Sequence, residues 1–384
     1  MISRRIASLA LFGVLFGVST LGAGCKKEDA NELRVGAFLS LSGGEATYGT
    51  DSKDGIDLAV EQVNAAGGIK GKKVKVLYED DQSLAPEASN KVRQLIDRDH
   101  VVGILGEVAS SRTLAGGLIA NTKKIPLITP ASTAVGVTQN GEWVFRTCFT
   151  DAQQGEAAAR FAIETLKKKK IAILFEQQNP YSSGLAESFK GVLTKMGGEI
   201  VAEKGFQTGE TNFSTYVQEL KAKNPELIYV PVYYKEMITL TRQAEKEGVP
   251  GNMFLGGDGW SSPELSDAVG DKLEGAYFTD HYADGVPWPN SAAFVTAFKA
   301  KYKGREPNSI GAQAYDAAKV MFDALGRAKD ASPAALRDAI ASTSKFQGAT
   351  GTITIDKNRN AIKPVVIVKM KQKRFSYFAQ IDAL

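Results

Sequence analysis

Residues 33–80 read LRVGAFLSLSGGEATYGTDSKDGIDLAVEQVNAAGGIKGKKVKVLYED. The first eight residues, LRVGAFLS, form a short apolar run that reads as a strand. In the middle, Ile56, Ala59, Val60 and Val63 recur at helical spacing, and Gly67–Gly68 ends the pattern. KVKVLYED, at 73–80, alternates apolar and polar residues as a strand does. A strand, a helix and a second strand in this order make a crossover unit, which places the two strands parallel in one sheet.

The rhythm continues on both sides of residue 150. APEASNKVRQLIDRD reads as a helix, VVGILGE as a strand buried on both faces, SSRTLAGGLIANTKK as a helix and IPLITP as another buried strand. Beyond 150, helices at AQQGEAAARFAIETLKK, SSGLAESFKGVLTKMGG, FSTYVQELKAKN and KEMITLTRQAEKEG alternate with strands at KIAILFE, EIVAEKGF, LIYVPVY and NMFLGGD. Two such series predict an α/β protein of two doubly wound parallel-sheet lobes. The tail departs from the pattern: consecutive helices at 291–304, 309–328 and 333–343 precede a stretch that reads as antiparallel strands around the turn DKNRN.

Length and composition agree with this. The chain has 384 residues, suggesting about two domains, with 43% apolar and 23% charged residues, as in ordinary globular proteins. Arg4 and Arg5, the apolar run Ile6–Leu21 and the small residues before Cys25 have the layout of a secretory signal peptide, expected over 1–24. The run is short for a membrane span, which takes about 20 residues. LGAGC resembles a bacterial lipobox with Cys25 as the lipidated residue, and residues 25–32 would then form a tether. The resemblance has a departure: Gly22 stands three places before the Cys, where a large aliphatic residue is usual, and Leu21 lies one further back. Ordinary cleavage nearby is the alternative.

Without the leader only Cys148 remains, in the apolar stretch VFRTCF, so no internal disulfide can form and a buried thiol is expected. The formal charge of +4 falls to +2 without Arg4 and Arg5, which gives no footing for nucleic-acid binding. Lys167–Lys170 reads as a solvated helix end.

In an open parallel sheet, ligands bind beyond the carboxyl ends of the strands. GEVASSRT follows one strand there: Ser110 opens a helix, where hydroxyls, free backbone N–H groups and the helix dipole favour an anion. Plain N-capping would also account for a serine at that place. TPASTAVG offers Ala131, Ser132 and Thr133 in a small polar loop. FLGGDGW sets Asp258 among three glycines, which would let the backbone bend and keep other side chains away; an Asp–Gly turn is the simpler reading. Tyr48, Tyr181 and Tyr233 stand at other strand ends, able to supply an apolar wall and a hydroxyl. Catalytic signatures are weak. His100 and His281 are the chain's histidines, without a Cys/His cluster, so no metal site or cofactor is expected. GGIKGKK has the wrong glycine spacing for a phosphate loop. DKNRN has Ala361 where a calcium loop needs glycine.

GAFLSLSGGEATYGTDSKDGIDLAVEQVNAAGGIKGKKV, ITPAST, QQNPYSSGLAESF and LGGDGW stand together in an order and spacing that resemble the periplasmic leucine/isoleucine/valine-binding proteins, receptors of branched-chain amino-acid ABC importers. The resemblance covers residues 33–384. It implies a type I periplasmic binding protein fold, with 33–149 plus 282–349 in one lobe, 150–281 plus 350–384 in the other, and a three-stranded hinge. It places an amino acid in the cleft: Ser110, Ala131 and Thr133 at its carboxylate and ammonium, Asp258 paired with the ammonium, Tyr48, Tyr181 and Tyr233 around it, and Val108, Ala109 and Trp260 in the wall. Asp258 stands where the family's type member has Glu, one methylene longer, and Ala109 where that member has a disulfide-forming cysteine.

The function so implied is not enzymatic. A monomeric lipoprotein at the periplasmic face or cell surface would capture a branched-chain or other small neutral amino acid for a membrane permease. The retained acid favours an α-amino acid over the amides, urea or aromatic acids that relatives of the fold bind. A binding protein for another solute, serving uptake or sensing, is the alternative; a secreted hydrolase is a more distant one, lacking a nucleophile–base pair.

Overall fold

The computed structural model describes residues 31–330 and 332–382; the leader and Cys25 lie outside this range. The stretch 33–80 folds as read: strand Glu32–Leu39, helix Ala46–Ala65 and strand Lys73–Asp80, with the two strands paired in parallel from Glu32/Lys73 to Leu39/Asp80. They head a five-stranded sheet of order Lys73–Asp80, Glu32–Leu39, Gly103–Leu105, Leu127–Thr129, Val144–Arg146, parallel throughout. The order reverses next to Glu32–Leu39, which opens a crevice at the carboxyl ends of that strand and Gly103–Leu105.

The second sheet has seven strands, in the order Arg374–Ile381, Val365–Lys371, Tyr277–Asp280, Phe254–Gly256, Leu227–Val230, Lys170–Glu176, Glu199–Phe206. Its last five pair in parallel, and the two C-terminal strands add antiparallel at one edge. All residues of Leu227–Val230 and Phe254–Gly256 are buried, as expected for central strands covered on both faces by helices. Four strands, Gly103–Leu105, Leu127–Thr129, Val144–Arg146 and Phe254–Gly256, keep only three residues in the ladder, because the chain leaves the sheet early to build loops at its carboxyl edge.

The tail helices return to the first lobe. Helix Ser309–Arg327 lies along helix Ala46–Ala65 so closely that a Cβ on Gly55 would come within 2.0 Å of Gly311 O. Strands Gly351–Ile355 and Ala361–Ile362 pair antiparallel around the predicted turn, and Ile353, Ile355 and Ala361 sit in the first lobe's core with Val35, Leu39 and Met321. The expected boundary at 350 is therefore too early. The chain enters the second sheet only at Val365, because the hairpin's apolar face is buried against the first lobe.

Three segments join the sheets: 147–150, the stretch following Asp280, and 363–364. Cys148 is fully buried in the first, and burial raises its thiol pKa to about 12, so it behaves as a core group.

Candidate functional site

A narrow cavity lies between the lobes, lined by Tyr48, Val108, Ser110, Ala131, Thr133, Tyr181, Tyr233, Asp258, Gly259 and Ile310. The first lobe's wall is built on a buried carboxylate. Glu107 accepts from Ser40 N (3.2 Å), from Ala109 N (2.7 Å) and from Arg112 Nε (2.9 Å). These bonds tie the loop before helix Ser110–Lys123 to the neighbouring strand. Ser132 Oγ donates to the backbone carbonyls of Glu107 and Val108, and Ser110 Oγ accepts from Ala134 N at 3.2 Å. The two polar loops are thus locked together, and the helix start with Ser110 at its first turn faces the cavity.

The second lobe contributes Asp258 from a single turn of 3-10 helix, Asp258–Trp260, directly after a central strand. The glycines around it are needed for close approach. Their φ values lie outside the left-handed region, which corrects the expectation of a freely bending backbone. A Cβ on Gly256 would strike the Trp260 ring at 2.2 Å, one on Gly257 the Tyr181 hydroxyl at 2.5 Å, and one on Gly259 the Val232 carbonyl at 2.7 Å. The turn is pressed between tyrosine and tryptophan rings, and only glycine fits.

The lobes touch across the cavity. Tyr48 Oη donates to Gly259 O and Ser110 N donates to Tyr233 Oη at 3.4 Å, while within the second lobe Tyr181 Oη accepts from Gly259 N at 2.9 Å. The rings of Tyr181 and Tyr233 stack with centroids 5.0 Å apart, and Tyr48 meets Tyr233 edge-on at 5.9 Å. These contacts define a closed arrangement with aromatic walls.

Two residues expected in the wall do not line it. Ala109 turns its side chain into the core while its N–H holds Glu107, and Trp260 packs beneath the turn against Gly256 and Phe278, its Nε1 donating to Val230 O at 3.1 Å. Gly259 and Ile310 take places that sequence reading did not assign.

The electrostatics centre on Asp258. It is buried, Oδ1 has no protein partner of good geometry, and Oδ2 lies 3.1 Å from His281 Nε2. Burial, then the nearby Asp151 and Asp280, push its pKa well above the carboxylate range. Asp151 opens helix Asp151–Arg160 beside the Thr133 hydroxyl, with neither oxygen in a hydrogen bond of good geometry, and burial raises it to about 7. Asp280 is also raised to about 7 by burial, although it accepts from Ser309 Oγ, Ser261 Oγ and His281 N. Among the described residues no Lys or Arg forms an ion pair with these three acids, and no His/Cys/Asp/Glu cluster has the arrangement of a metal site. A small group carrying a positive charge beside Asp258 and a negative one near the Ser110 helix start would satisfy both walls.

A family model described as "Periplasmic binding protein" matches residues 32–374. The Leu/Ile/Val-binding protein of Citrobacter freundii is 34% identical over 275 residues, 71% of this chain and 73% of its own. The chain belongs to the periplasmic Leu/Ile/Val-binding protein family. A second relative, the leucine-, isoleucine-, valine-, threonine- and alanine-binding protein of Pseudomonas aeruginosa, is 29% identical over 92% of this chain and 91% of its own. Among solved structures, a leucine binding protein from Thermotoga maritima superposes with a TM-score of 0.86 at 34% identity, covering 91% of this chain and 99% of that one. A branched-chain amino acid transporter substrate binding protein from Streptococcus pneumoniae, in complex with isoleucine, gives 0.84 at 31% identity, covering 90% and 99%. The Leu/Ile/Val-binding fold also extends to a Rhodopseudomonas palustris solute binding protein in complex with 3,4-dihydroxybenzoic acid, at a TM-score of 0.83 and 24% identity over 92% of this chain and 98% of that one. The protein is thus a solute-binding protein of the branched-chain amino-acid ABC transporter family.

Proposed function

We propose that this protein captures a branched-chain or other small neutral α-amino acid outside the cytoplasm and delivers it to an ABC permease, without chemical change. The observation that carries the reading is Asp258: a buried carboxylate facing the cavity, with one oxygen in no protein hydrogen bond of good geometry and the Tyr181 hydroxyl nearby, across from the Ser110 helix start. An α-ammonium would occupy Asp258 Oδ1, and the α-carboxylate would take the Ser110 and Thr133 hydroxyls and the helix-start N–H groups. Val108, Ala131, Ile310 and the stacked tyrosines would enclose an aliphatic side chain. A neutral or purely anionic ligand would leave the acid unpaired, at a cost of about 1–3 kcal/mol or more. The bridges between lobes, Tyr48 to Gly259 and Ser110 to Tyr233, suit closure of a hinge around the solute.

Thermal unfolding against neutral amino acids, amides, urea and aromatic acids tests the ligand class. A ligand at 100 times its Kd stabilises by about 2.7 kcal/mol. Stabilisation by leucine, isoleucine, valine or alanine is expected, and a response only to compounds without an ammonium group would overturn the reading. In calorimetry Asp258→Asn should weaken binding by about 1.5–3 kcal/mol, roughly 10- to 150-fold.

The leader and Cys25 support a lipid-anchored protein held beside its permease. Cys25→Ser should move the protein from the membrane fraction to the soluble one; retention in the membrane fraction would exclude the anchor.

A further inference from the structure

We propose that His281 is the positioning residue for the ammonium-binding acid: its Nε2–H holds Asp258 Oδ2, keeps Oδ1 turned to the ligand, and ties the carboxylate to the hinge. This rests on the reading of Asp258 given above.

The geometry is specific. His281 is fully buried in the segment that leaves the second sheet after Asp280 and returns to the first lobe. Its ring stacks on Phe149, in another of the hinge segments, with centroids 3.6 Å apart and planes 21° from parallel. Its backbone N–H donates to Asp280 Oδ1 at 2.6 Å, and the same oxygen accepts from Ser309 Oγ, at the start of a first-lobe helix. Asp280 Oδ2 accepts from Ser261 Oγ, just beyond the Asp258 turn. His281 thus connects the ligand-facing acid to two hinge segments through its ring and, through its backbone N–H and Asp280, to the opposite lobe.

Nδ1 has no partner within the protein, which fits the tautomer with the proton on Nε2: a bare acceptor is left inside, and the donor is spent on Asp258. The groups around the pair come from every neighbouring element. They are Asp151 at the helix start after the first crossover, Cys148 in that crossover, Asp280 at the end of its strand, Tyr181 and Tyr229 from the same lobe, Tyr48 from the opposite lobe, and Lys363 in the last crossover. Burial, and then the Lys363 charge, favour the neutral imidazole. A neutral donor is what Asp258 requires here. A fixed cation would satisfy the acid permanently and compete with the ligand's ammonium, whereas no donor at all would leave a lone carboxylate beside two others.

The test is calorimetric titration of L-leucine into the purified protein from pH 5.5 to 8.5, for wild type, His281→Phe, His281→Gln, His281→Asn and Asp258→Asn. Phe keeps the stack on Phe149 and removes the donor. It should weaken leucine binding at least about tenfold at pH 7. Without the donor Asp258 takes a proton more readily, so the pH at which affinity is lost on acidification should rise by about one unit. Gln can place an N–H where Nε2 stands and should restore most of the affinity; Asn, too short to reach, should not. Wild-type affinity and pH profile in His281→Phe, or equal behaviour of Gln and Asn, would overturn the proposal. Should the Phe variant fail to fold, the Gln–Asn contrast decides alone. Weakened binding in Asp258→Asn with His281→Phe unaffected would remove His281 only, whereas unaffected binding in Asp258→Asn would remove the reading of Asp258 beneath it.

Discussion

Two groups of carboxylates, all buried except the half-buried Glu45, flank the cavity, and they are built differently. In the first lobe Glu107, Glu45 and Asp81 surround one guanidinium, Arg112, at 2.9, 2.5 and 3.9 Å. In the second lobe Asp258, Asp151 and Asp280 stand near one another with no bonded Lys or Arg among the described residues, and the direct partners are hydroxyls, a backbone N–H and a neutral imidazole. The first group carries its own cation and fixes a loop. The second remains short of positive charge, a state suited to an incoming ammonium. Buried acids in a binding protein are therefore told apart by whether the chain itself supplies their counter-charge.

The largest effect that would break this contrast is removal of the built-in cation. Arg112→Leu leaves three acids without their partner and should cost about 3–5 kcal/mol of stability in denaturant unfolding, with leucine binding weakened as the Ser110 loop loosens. A small change would mean that the first group is no more paired than the second. Asp258→Asn should do the reverse: folding is retained or improved, because a raised carboxylate is removed, while ligand binding falls as stated above.

Asp151→Asn gives the smallest and most pH-dependent effect. Its pKa is raised in the folded protein to about 7, so its contribution to stability is fully present below the unfolded value near 3.9 and is lost as pH rises through about 7. The neutral Asn avoids that loss. The variant should match wild type below about pH 4 and exceed it at pH 8 by up to a few kcal/mol, the gap opening as pH rises between those values and seen as a higher melting temperature without ligand. His281, lowered by burial, acts with the opposite sign at acid pH and is present in both proteins, whereas Asp258, which Asp151 helps to raise, is relieved in the variant and adds to its gain at high pH. Equal melting-temperature differences at both pH values would show that Asp151 is paired after all.

Much of this was legible in the chain. Apolar runs of strand length alternating with helical periodicity leave few arrangements other than parallel crossovers, and the two lobes follow from that. Ser110, Ala131, Thr133 and Asp258 could be picked out because each sits just past a strand's carboxyl end, which a doubly wound sheet turns toward its ligand. Other features had no local signal. The hairpin at 351–362 has an apolar face that either lobe could bury, and only contact with the first core assigns it. Trp260 beside an acid reads as a wall residue, yet Gly256 gives it room to turn under the sheet.

His281 illustrates the limit best. A lone histidine 23 residues from Asp258 carries no spacing motif. Sequence alone determined the alternation of elements and the chemistry available at the strand ends, since these depend on neighbours along the chain. Tertiary structure decided which acids have a partner, because counter-charges come from segments far apart in sequence that meet only when both sheets and their crossovers are in place.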